Sequence, residues 1–324
     1  MSTRFIFFAF VLMLSPAIYA LPTAKVTINV VDEGGVPVEG ANVEVYFKLE
    51  GNRDNRDEGV TDSKGLFEAT GSTQRFVGGC NITKDGYYAS GCDYSEKYLT
   101  DISGIMGFRR WQPWNPSIKV VLKPIKNPIP LYMRYLGERS RLGDSANTMP
   151  DYEVGFDLVE SNWVAPHGRG IHSDFIFKLE KNHISDSNFH DVLTISFANE
   201  DDGIQAYFSD KDNDSVFKMP YHAPTAGYKS SYTQVYRIDP DEIIKSPFRI
   251  DQNYFFRVRT ERDSEGKIIS ALYGKIEGYI RFAAPSEIET AWLRFKYFIN
   301  PTPNNTNLEF DETQNLFGSK FVKK

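Results

Sequence analysis

Apolar and polar residues alternate along the chain with a period of two, in short blocks separated by glycine, proline and acidic turns. Val26, Ile28 and Val30 alternate with Thr27 and Asn29, and Ala41, Val43, Val45 and Phe47 with Asn42, Glu44, Tyr46 and Lys48. That period marks half-buried strands. Gly34-Gly35 supplies positive φ between the two blocks, and Pro37 and Gly40 hold a surface crossing. A charged stretch ending near Glu58 is expected to be a loop. Asp62 opens and Gly65 closes a second turn, and Leu66 to Thr70 reads as a further strand.

These residues carry a resemblance. Asp32, Gly35, Pro37, Val38, Gly40, Ala41, Val43 and Val45, followed by Gly59, Thr61, Asp62, Gly65 and Phe67, resemble the carboxypeptidase regulatory-like domain. Lys84-Asp85-Gly86-Tyr87 and Ile118 to Leu122 match its last strands. The resemblance implies a transthyretin-like or immunoglobulin-like β-sandwich in roughly the first third of the chain. It implies a fold and not an activity, because in that family the domain is an accessory module with no catalytic residues to carry over, and a shared fold does not by itself determine function.

Later blocks are also β. Phe175 to Leu179, Val192 to Phe197 and Ile204 to Phe208 are short apolar or aromatic runs bounded by polar turns. The clearest hairpin spans Asn253 to Phe282. Tyr254, Phe256 and Val258 share one face, and Ile268, Leu272, Ile276 and Ile280 are expected opposite them. Gly274 and Gly278 on that face predict a close approach or a bulge. Leu293, Phe295, Tyr297 and Ile299 line one side of a further strand. The segment Asp239 to Lys245 is the best candidate for a short helical turn, and Asn300 to Asp311 reads as a Pro/Asn loop before a tail.

The expected fold is therefore all-β: an N-terminal sandwich, then a larger β-sandwich or jelly-roll-like domain. The expected divisions are 1–20 signal peptide, 21–123 first sandwich, 124–130 linker with three prolines, and 131–324 second domain. Arg4, the apolar run Phe5 to Leu14 and the small residues before Ala20 resemble a secretory leader, with cleavage after Ala20 preferred to Ala17. Hence the protein is expected to be secreted or periplasmic, with no transmembrane segment in the mature chain. In an oxidising compartment Cys80 and Cys92, flanking one hairpin, are expected to form a disulfide. The net charge of −6 argues against nucleic-acid binding. Aromatics at 14% suit a β-rich chain.

Standard catalytic signatures, including H-E-x-x-H, G-x-S-x-G and the P-loop, are absent from the sequence. Three candidate sites remain. Trp111 and Trp114 sit in a proline-rich loop and are candidates for holding a sugar or protein partner; packing against the protein's own surface is the competing and preferred reading. Asp210, Asp212 and Asp214 place carboxylates at alternate positions, as calcium loops do, but a solvated acidic turn accounts for them equally simply and better. His167, His172, His183, His190 and His222 cluster in one segment without a recognised ligand spacing. The expectation is an exported, non-catalytic binding or scaffolding protein with a glycan or envelope-protein partner, no cofactor and at most calcium. The alternative is a metal-dependent hydrolase with a His/Asp site in the second domain. Gly155 to Leu158, Trp163 to Gly168, Asp202 to Gln205 and Asn307 to Asp311 are similar to uncharacterised exported bacterial proteins.

Overall fold

The computed structural model describes residues 21–318, apart from 52, 75–76, 93–100, 106–107, 138–147, 150–151, 186, 211–213, 240–247 and 285–290. The leader-like segment and the candidate helical turn after Asp239 lie outside the described residues, which are all-β. The chain divides into two compact units. The first comprises residues up to Asp85 and Ala89–Leu122; the second comprises Gly86–Tyr88 and the chain from Lys123 onward.

The first unit contains β1 (Thr23–Asp32), β2 (Asn42–Lys48), β3 (Asp54–Val60), β4 (Leu66–Ser72) and β5 (Val77–Thr83). It continues with β6 (Ser90–Cys92), β7 (Asp101–Ser103), β8 (Arg110–Gln112) and β9 (Ser117–Leu122). One sheet runs β4-β1-β8-β7, with β9 also paired to β1; the other runs β3-β2-β5-β6. Val26, Ile28 and Val30 of β1 and Val43, Val45 and Phe47 of β2 are buried. A Cβ at Gly71 of β4 would lie 2.3 Å from the Phe47 ring, so the two sheets meet there and only glycine fits. Each such apolar side chain contributes about 2 kcal/mol by leaving water.

The charged stretch after Lys48 differs from expectation. Asp54 to Val60 is strand β3, paired along its length with β2. Its residues are mostly exposed and it has one neighbour, so the alternation that marks a half-buried strand is missing; charge on an edge strand instead discourages pairing with other chains. Cys80 and Cys92 stand directly opposite each other in the β5–β6 register and are joined by a disulfide.

The second unit contains β10 (Tyr132–Leu136), β11 (Thr148–Met149), β12 (Glu153–Asp157), β13 (Asn162–Trp163), β14 (Phe175–Ser185) and β15 (Asn188–Ser196). It continues with β16 (Gly203–Phe208), β17 (Ser231–Ile238), β18 (Gln252–Arg262), β19 (Ile268–Ala283) and β20 (Ala291–Ile299). One sheet is β10-β20-β19-β18-β16, with β11 also on β20; the other is β13-β12-β14-β15-β17. They face each other across an aromatic layer: Phe175 lies 5.1 Å from Phe256 and Phe177 lies 5.9 Å from Phe295, centroid to centroid.

The β18–β19 hairpin keeps Tyr254, Phe256, Val258, Leu272, Ile276 and Ile280 in that layer. Ile268 departs from expectation and packs on the opposite face with Met219 and Tyr273. Between the Glu261–Ser270 and Arg262–Ile268 pairs β19 carries an extra residue. One extra residue reverses which face the next side chain meets. Gly274 admits the Phe256 ring, whose Cζ would stand 2.0 Å from an added Cβ, whereas Gly278, at φ 81°, sits in an irregularity of β19.

The segment Asn300 to Asp311 is a non-repetitive loop, exposed at Thr302 to Asn304 and buried at Asn307 to Glu309. Leu308 and Glu309 are buried. Glu309 accepts hydrogen bonds from the Lys126 amide at 2.8 Å, the Asn127 amide at 2.6 Å and the Tyr88 hydroxyl at 3.0 Å. Asparagine side chains that bond nearby backbone allow a non-repetitive segment to be buried without orphaned polar groups; the Asn300 and Asn307 side chains donate to the carbonyls of Asn307 and Asn127.

Candidate functional site

The outer face of the β10-β20-β19 region is set by the same alternation that fills the core. Phe295 and Tyr297 of β20 point inward, so Arg294, Lys296 and Phe298 share the other face. Across the ladder Lys296 stands opposite Tyr135 on one side and Glu277 on the other. Beyond Glu277 the register shifts, because three residues of β19 face the single residue Phe295, and Arg281 comes to stand directly opposite Arg294. The result is a cavity of about 240 Å³ whose lining includes Tyr135, Glu277, Tyr279, Arg281, Arg294 and Lys296.

Below it lies Lys275, 1% exposed. Its ammonium meets Glu277 at 2.8 Å and sits over the Phe217 and Phe298 rings at 4.5 and 4.6 Å from their centroids. Lys296 reaches the other Glu277 oxygen at 2.9 Å. Burial works to raise the Glu277 pKa, but the charges of Lys275 and Lys296 outweigh it and bring it down to about 2. Burial pushes Lys275 below the ordinary lysine value. Glu277 is thus held as an anion at neutral pH, with no proton to give and little basicity.

The two arginines are arranged differently. Arg294 donates to the Tyr135 hydroxyl and lies 5.2 Å from that ring; Arg281 lies 5.8 Å from the Trp292 ring and 6.0 Å from Phe248. Neither forms an ion pair with a described carboxylate. Tyr279 packs at 5.4 Å on Phe248 and supplies a second tyrosine to the lining. An aromatic wall with converging guanidinium and ammonium donors suits a polar ligand with an apolar face.

A second cluster, around Arg259, serves the fold. Arg259 bonds Asp174 at 2.8 Å and Asp157 at 2.9 Å, and its backbone amide donates to Asp202. Asp157 also accepts from the amides of Val159, Glu160, Ile171 and His172. Burial works to raise its pKa, yet those amides and Arg259 leave it lowered; burial prevails at Asp174 and Asp202, which are raised. Their oxygens are committed to backbone and guanidinium, so the cluster anchors loops.

Trp111 stands in β8, half-buried, its indole N–H donating to the Thr73 carbonyl at 3.1 Å. Trp114 is half-buried under the Arg110 guanidinium at 4.6 Å. Of the three acidic positions, Asp214 pairs with Lys218 at 2.9 Å, Asp210 has a partner of its own, and Asp212 lies outside the described residues. The histidines are dispersed: His183 meets Asp191 at 2.9 Å and stacks on Phe189, His222 meets Thr306, and the His172 amide donates to Asp157. Among the described residues no three His, Cys, Asp or Glu side chains converge as a metal site, and no helix is long and apolar enough to cross a membrane. A shallow hollow of about 430 Å³ on the first unit includes Glu44, Glu58 and Asn81 but no aromatic or cationic side chain.

No family model matches the chain, and no curated protein matches it. Among solved structures it is similar to 3-chlorocatechol 1,2-dioxygenase from Rhodococcus opacus, at 12% identity and a TM-score of 0.25, over 33% of this chain and 62% of that one. The chain therefore spans less than two thirds of the dioxygenase. It is also similar to a proposed carbohydrate-binding protein from Bacteroides uniformis, at 12% identity and a TM-score of 0.18, over 86% of this chain and 99% of that one. A DUF3823-family protein from Parabacteroides merdae matches at 8% identity and a TM-score of 0.18, over 86% and 96%. At TM-scores of this size none of these likenesses carries an argument.

Proposed function

We propose that the chain is an exported, non-catalytic binding protein that holds a glycan in the Tyr135–Tyr279 cavity of its second unit. The observation that carries this reading is the pairing of two tyrosines with Arg281, Arg294 and Lys296 around a carboxylate locked as an anion. Sugar rings offer an apolar face and a rim of hydroxyls, which aromatic walls and fixed donors match. Glu277 at about 2 is far from the range in which an acid or base works near neutrality. The disulfide and the leader-like sequence support export.

A glycan array with the mature chain tests this reading. We expect binding without release of reducing ends, and at least a tenfold loss of affinity in Tyr279→Ala. Turnover of a bound glycan, or binding indifferent to Tyr279→Ala, would refute it.

A further inference from the structure

We infer that the ligand of this cavity is an acidic glycan, whose negative group lies between Arg281 and Arg294; this rests on the proposed glycan-binding function. Like charges directly opposite on neighbouring strands repel, and such pairs are normally avoided or neutralised by a nearby acid. Here Arg281 and Arg294 are both exposed, stand directly opposite, and form no ion pair with a described carboxylate. The juxtaposition is made by the irregularity in β19. Had the Glu277–Lys296 register simply continued, Arg294 would face Tyr279 and Arg281 would face Trp292.

Among the described residues Glu277 is the one carboxylate of the lining, and Lys275 and Lys296 share it. Among the described residues four cationic side chains, Lys275, Arg281, Arg294 and Lys296, therefore gather about one anionic one, in a chain whose net charge is −6. Arg294 gives its Nε–H to the Tyr135 hydroxyl, which leaves its two terminal nitrogens, and the whole fork of Arg281, for bidentate bonds, the geometry that suits an oxyanion. Gly278, with nothing within 4 Å of an added Cβ, leaves space beside Tyr279 for a ring. The recognised chemistry is thus a sugar bearing an oxyanion, either a uronate carboxylate or a sulfate ester.

Titration calorimetry of the mature chain with matched charged and neutral polymers tests this: polygalacturonate against fully methyl-esterified pectin, and dextran sulfate against dextran. We expect one charged polymer to bind at least tenfold tighter than its neutral counterpart, with affinity falling as salt rises. Arg281→Gln and Arg294→Gln should each lose at least tenfold in that affinity while the unliganded melting temperature holds or rises, since each removes a repulsion. Preference for the first pair identifies the group as a carboxylate, and for the second as a sulfate. Equal binding of charged and neutral members, or unchanged affinity in both arginine variants, overturns the inference while leaving a neutral-glycan reading standing if Tyr279→Ala still abolishes binding. Failure to bind any of the four polymers or any arrayed glycan overturns both.

Discussion

Lys275 and Glu277 form the pair on which the outer face of the β19 sheet turns. Breaking a buried pair from one side leaves an uncompensated charge and costs several kcal/mol, whereas removing a charge whose partner keeps a second counter-ion costs less. Glu277→Gln is therefore expected to destabilise by about 3 kcal/mol at pH 7, and Lys275→Met by less because Lys296 still pairs Glu277. The Glu277 folded pKa of about 2 lies below its ordinary 4.5. Its contribution is present above about pH 4.5 and is lost as the pH falls towards 2, where the unfolded chain takes up the proton first. Urea midpoints measured between pH 7 and pH 2 should show that acid limb in the wild type and a shallower one in Glu277→Gln. None of this was legible in the sequence. Lys275 and Glu277 alternate with apolar residues as any solvent-facing strand positions do, and only the structure shows the Phe217 and Phe298 rings lying over the Lys275 ammonium.

At the scale of elements, the β18–β19 hairpin was the most legible part of the second unit, because inward residues on both strands keep period two over most of its length. Its irregularities were not: one beside Ser270 sets the reversed face of Ile268, and another, where β19 pairs with β20, sets the opposition of Arg281 to Arg294. Register is a property of two strands together, so no single stretch records it. Strand β3 escaped reading for a different reason: an edge strand of exposed charged residues has no apolar face to reveal it. The glycines of β19 separate two physical roles. Gly274→Ala places a methyl against Phe256 Cζ and within 2.5 Å of the Phe298 carbonyl. It is expected to destabilise by about 1–3 kcal/mol in urea unfolding. A wild-type midpoint in that variant would mean that the Phe256 ring moves aside at no cost.

For the molecule as a whole, the all-β class follows from the alternation, and the division after Leu122 falls just before the proline-rich stretch. The cavity was invisible at this scale too, since Tyr135 comes from β10, far from β19 and β20 in the chain, and the register that sets Arg281 opposite Arg294 is recorded in no single stretch. Sequence reading instead favoured contiguous groups: tryptophans in one loop, aspartates in one turn, histidines in one segment. Among the described residues Trp111, Trp114, Asp214, His183 and His222 each have a partner within the protein. In the first unit Cys80 and Cys92 are separated by 12 residues. Closing a loop of that size stabilises by about 3 kcal/mol in the chain-entropy model. Cys80→Ala/Cys92→Ala should therefore unfold that unit at lower urea, read from fluorescence at Trp111 and Trp114; an unchanged midpoint would mean that the β5–β6 pairing suffices alone.

Lys126 and Glu309 are 183 residues apart, yet one accepts what the other's backbone donates, and β10 pairs with β20 near the far end of the same unit. On the export proposed above, a chain delivered leading end first must hold β10 without its partner while everything between follows. During that interval the strand presents open amides and an apolar face, a template for wrong pairing. Slow folding and a reliance on holding chaperones are the expected cost of this topology on that route, borne by the second unit far more than by the first, whose β1 meets β9 across about ninety residues.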